Sequence, residues 1–136
     1  MFRGLSAPKC VSAGKVTQRA FERREPKLGR RGDPTGISVN PTPADAVAYL
    51  KDPVGIASLS CDDVRELKNP FDGANLDVEW NKEHHGNIMN VPYYRTDLPD
   101  EQQRMLEDFL YDIATTATLE SERVFAEAMK EKKKQT

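Results

Sequence analysis

Residue types able to do chemistry are thinly spread along this 136-residue chain. Glu83, His84 and His85 form its densest group of possible metal ligands. Zinc sites on helices use histidines four residues apart, and neighbours on a strand point to opposite faces, so an adjacent His-His pair does not converge on one ion without an unusual loop. The eight glycines never spell G-x-G-x-x-G or G-x-x-x-x-G-K-[S/T], so no phosphate-cradling loop is signalled. Serine, cysteine and histidine fall into no nucleophile motif. Cys10 and Cys61 stand in regions of different character and suggest a reducing compartment rather than a disulfide framework. Arg31-Gly32-Asp33 reads as a turn before Pro34. On these grounds no catalytic, metal-ligating or cofactor-binding set is expected, and the role is binding without catalysis, with no small-molecule substrate.

The residues suited to binding are aromatic, aliphatic and basic. Trp80, Tyr93 and Tyr94, with Arg95 beside them, are the types that anchor buried interfaces. Leu106, Phe109, Leu110 and Ile113, continued by Phe125, recur at helical spacing and form a stripe with no equal counterpart elsewhere in the chain, so a partner protein is expected to cover it. Arg3, Lys9, Lys15, Arg19, Arg23 and Arg24 belong to a strongly basic start. Residues 1–31 hold nine basic and two acidic side chains, residues 32–129 seven basic and nineteen acidic. The overall charge of −2 conceals this segregation, and the basic arm is the part that could meet RNA phosphates.

The elements expected to position these residues are mostly helical. Residues 32–44 are dense in Gly, Pro, Asn and Thr and read as a linker after the arm of residues 1–31. Two short capped helices are expected over 45–73: Thr42 with Pro43 opens the first, Ser60 with Asp63 the second, and an Asp/Asn-Pro pair ends each unit. Residues 74–97 read as an irregular aromatic-containing loop in which Leu76, Val78 and Trp80 alternate as one marginal strand. A long helix is expected over 98–134, with Thr115-Thr116-Ala117-Thr118 as the place where it could break into a hairpin.

The fold class expected from this pattern is mostly α with extended segments, and not an independent compact domain. The hydrophobic fraction of 38% and nine scattered prolines point the same way. No stretch approaches the roughly 20 apolar residues that span a bilayer. The absence of acidic residues from Met1 to Phe21 matches the composition of a mitochondrial transit peptide. The expected function is therefore a non-catalytic accessory subunit of a large multiprotein assembly, with a mitochondrial complex as first choice. A microtubule-associated cytoskeletal protein and a mitochondrial ribosomal protein are the alternatives.

Overall fold

Phe2 to Leu5, inside the segment expected to be a basic tail, form an edge strand of a three-stranded sheet. The computed structural model describes residues 1–134. Its strands are β1 (Phe2–Leu5), β2 (Val11–Ser12), β3 (Lys15–Val16), β4 (Ile37–Val39), β5 (Gly55–Ser58), β6 (Asp77–Lys82), β7 (His85–Met89) and β8 (Thr118–Leu119). Its helices are α1 (Pro43–Val47), α2 (Cys61–Arg65), α3 (Asp100–Thr116) and α4 (Glu122–Lys134). The strands make three antiparallel sheets, ordered β1-β5-β8, β2-β3 and β4-β7-β6. The expectation of a mostly α, non-compact chain is therefore wrong: 26% strand accompanies 35% helix in a compact fold. The strands escape a sequence reading because they are two to six residues long, too short for a period-2 pattern to stand out.

Both faces of the first sheet are covered. In β1 the even positions Phe2 and Gly4 face α1 and the odd position Leu5 faces the main core, as strand alternation requires. Gly4 is needed where it stands, because a Cβ there would lie 2.1 Å from the Ala46 carbonyl oxygen of α1. On that face Ala46, Val47, Ile56 and Ala128 form a small cluster joined by Phe2, Phe125 and Met129. On the other, α3 brings Leu106, Phe109, Leu110 and Ile113 against Leu5, Phe21, Ile37, Val39, Ala57 and Ile88. The helical stripe that lacked a partner in sequence thus packs on strands of its own chain.

Local chemistry explains where the elements start and stop. Thr42 accepts a bond from the Asp45 amide at 3.1 Å and Ser60 accepts from Asp63 at 3.4 Å, so both expected N-caps are in use. The expected single helix over 98–134 is two. The hydroxyls of Thr115 and Thr116 bond back to the Asp112 and Ile113 carbonyls, both at 2.7 Å, where the chain leaves α3 and enters β8. β8 pairs with β5, and Ser121 then caps α4 through the Val124 amide at 3.3 Å. The marginal strand around Val78 also finds a partner: β6 turns back into β7, whose Gly86 and Asn87 had no strand signature.

Candidate functional site: a cationic cleft beside the first strand

β1 and β4 diverge directly after one bridge. Phe2 and Asn40 exchange both backbone bonds, at 2.8 and 2.7 Å. By alternation the Ser38 carbonyl turns to the same side as that of Asn40, where β1 no longer runs beside β4. Arg3 fills this wedge. Its Nη1 donates to the Ser38 carbonyl at 2.8 Å and its Nε to the Ala20 carbonyl at 2.7 Å. Both partners are backbone, and among the described residues Arg3 makes no ion pair. Burial pulls its pKa below the ordinary arginine value, while the nearby charge of Asp33 acts the other way.

A cleft of about 670 Å³ opens beside this guanidinium. Seven cationic residues line it (Arg3, Lys9, Arg19, Arg24, Lys27, Arg30 and Arg95) against four carboxylates, Glu22, Glu25, Asp33 and Asp97. Residues 24–33 form one wall as a closed loop. At its base Asp33 donates its amide to the Arg24 carbonyl at 2.8 Å and accepts from the Arg24 amide at 2.9 Å. At its tip Lys27 and Arg30 exchange backbone bonds across a turn that uses Gly29 at φ 79°. Burial would raise the Asp33 pKa, but bonds from the Arg24 side chain and backbone outweigh it and bring the carboxyl below its ordinary value.

The pairing inside the cleft is uneven. Arg19 bridges Glu22 at 3.0 Å and also pairs with Glu107, Lys9 stands 3.9 Å from Glu22, Arg24 pairs with Asp33 at 3.2 Å, and Arg95 with Asp97 at 3.0 Å. Arg3, Lys27 and Arg30 have no carboxylate within ion-pair distance among the described residues. The cleft therefore holds a surplus of positive charge, part of it withdrawn from water, and its unmatched charge is suited to an anion.

The residues singled out in sequence are distributed as follows. Of the basic arm, Arg3, Lys9, Arg19 and Arg24 meet in the cleft. Arg23 instead ties loops together: it donates to the Asp33, Val91 and Pro34 carbonyls at 2.7–2.8 Å and stacks on Tyr93 at 4.0 Å. Lys15 sits apart, on the β2–β3 hairpin. Tyr94 joins the cleft wall, donating to Glu107 at 3.1 Å and accepting from Arg19 at 2.8 Å. Trp80 lies on the β6 edge across from Gly86, half-exposed. Leu106, Phe109, Leu110 and Ile113, expected to face another protein, are at most 5% exposed, and Phe125 packs in the smaller cluster. Lys27, Arg30 and Glu25 were not singled out as site residues, their signal being the charge density of the arm of residues 1–31, and Asp33 was read only as part of a turn before Pro34. His84 bonds Asp45 and His85 bonds Asn81 and Ser38, and among the described residues no three His, Cys, Asp or Glu side chains converge on a metal position. No helix among the described residues is long and apolar enough to cross a membrane.

Comparison with protein-family models, with curated proteins and with solved structures finds no match to this chain.

Proposed function

We propose that this protein is a binding module whose cleft holds an anionic, phosphate-bearing ligand, without a catalytic step of its own. The observation that supports this reading is the group Arg3, Lys27 and Arg30, three cations lining one cleft with no carboxylate in ion-pair contact. Phosphate oxygens match that need, because arginine presents a planar donor fork and lysine a point charge. The test is calorimetric titration of the whole protein with inorganic pyrophosphate at two salt concentrations. Saturable binding that weakens with salt is expected, with at least a tenfold loss in a Lys27→Gln, Arg30→Gln double variant, whose changes lie on an exposed turn. Unmeasurable binding at millimolar pyrophosphate would overturn the reading, and hydrolysis of the pyrophosphate to inorganic phosphate during the same incubations would overturn its non-catalytic half.

Membership in a larger assembly is the second reading, with a mitochondrial complex as the first choice of compartment. What supports it now is exposed apolar surface: Tyr49 is 98% and Tyr111 61% exposed. The stripe of α3 no longer does so, since this chain's own core covers it. Native mass measurement after affinity purification of the tagged chain tests it, and a monomer recovered alone counts against it.

A further inference from the structure

The cleft carries more than positive charge. Glu25 lines it half-buried and makes no ion pair among the described residues, unlike Glu22, Asp33 and Asp97. A free carboxylate inside a cationic cleft weakens the capture of a bare anion, so its presence favours a ligand that also brings donors to it. Paired hydroxyl groups are such donors: a carboxylate has two oxygens and accepts from both. Ser6 and Thr96, also on the wall, add hydroxyls of their own.

Size and charge distribution limit the ligand further. A volume of about 670 Å³ lies within the range of small-molecule and cofactor sites, roughly 300–1,000 Å³. A nucleic-acid polymer would need cations continuing along the surface beyond the cleft. Most of the chain that follows the arm carries the opposite charge, with nineteen acidic against seven basic side chains over residues 32–129. Lys132, in the second basic stretch, is already committed to backbone carbonyls at the end of α1.

Resting on the proposed anion-binding role, we infer that the ligand is a small phosphate ester of a sugar, with the phosphate on Arg3, Lys27 and Arg30 and the sugar hydroxyls on Glu25. A free sugar phosphate and a nucleotide share this chemistry. The test is calorimetric titration of the intact protein with inorganic phosphate, ribose 5-phosphate, 2-deoxyribose 5-phosphate, ADP and a ten-nucleotide single-stranded RNA. Ribose 5-phosphate or ADP should bind at least tenfold more tightly than inorganic phosphate, and the tighter of the two identifies the source. The deoxy sugar should lose several-fold. In Glu25→Ala, shown folded by its circular dichroism, the preference for ribose 5-phosphate over inorganic phosphate should fall toward one while inorganic phosphate binds as well or better. Equal binding of inorganic phosphate and the esters, a preference that survives Glu25→Ala, or RNA binding more tightly than every small ligand would each overturn the inference and leave the anion site standing. Failure of all phosphates to bind would overturn both.

Discussion

Arg3 links stability to the cleft more directly than any other side chain, because its fork bonds two carbonyls that belong to different parts of the fold. Arg3→Lys keeps the charge, but one ammonium on a flexible stem does not reproduce that planar geometry. A loss of about 1–3 kcal/mol is expected from the charged hydrogen bonds, read as a lower urea midpoint. Asp33 gives a pH-dependent counterpart. Its folded pKa lies below the ordinary carboxylate value because Arg24 bonds outweigh burial. A depressed folded pKa stabilises above the unfolded value and ceases to do so as pH falls through the folded one. Asp33→Asn should therefore be less stable than the native chain at pH 7, with the gap closing below the ordinary carboxylate range, about pH 4. Urea titrations at pH 7 and pH 3 measure this, and a gap unchanged by acid would remove Asp33 as its source.

At the scale of elements, short helices are held by what docks on their ends. α1 has five residues, far fewer than a free helix needs to persist in water. Its last turn ends in carbonyls that α4 satisfies: the Lys132 ammonium donates to Val47 at 2.9 Å, to Ala48 at 3.1 Å and to Leu50. One cation thus serves as a C-terminal cap reaching from another helix. Lys132→Met keeps much of the stem's packing while leaving those carbonyls without it, and should cost about 2 kcal/mol. The cap at the other end is worth less, and Thr42→Ala should cost about 1 kcal/mol. Thermal melts of the two variants order these effects; equal losses would show that the Lys132 contact does not hold α4 to α1.

At the scale of the whole molecule, the basic arm and the core are one structure. Leu5, Cys10, Val16, Ala20 and Phe21 are buried beside residues of α3 and of the β4-β7-β6 sheet. Removing residues 1–31 would take away β1 and uncover its neighbour β5, so the remaining chain should lose cooperative unfolding. The full chain should melt in one sharp transition, where a chain lacking its own core would not. Phe109→Asp places a charge in a 5% exposed site and should abolish that transition even for the free monomer. A free chain that keeps its transition in Phe109→Asp would place the hydrophobic centre elsewhere.

What could be read from residues alone was local and chemical. Thr42, Pro43 and Ser60 announce helix starts because a cap acts within three residues, and the break near Thr116 is legible because β-branched hydroxyl residues end a helix through their own back-bonds. The spacing of Leu106, Phe109, Leu110 and Ile113 identified a buried face, but spacing carries no information about what buries it. Tertiary structure supplied the answer through contacts remote in sequence: four-residue strands at Phe2 and Gly55, unremarkable alone, pair with each other and build the sheet that stands between the two helical faces. The cleft has the same origin. Six of its seven cations are visible in residues 1–31, yet their meeting in one cleft depends on Arg3 sitting where β1 and β4 diverge past Phe2 and Asn40 and on the closed loop of residues 24–33 beside it, a geometry that exists only once segments some 35 residues apart have met.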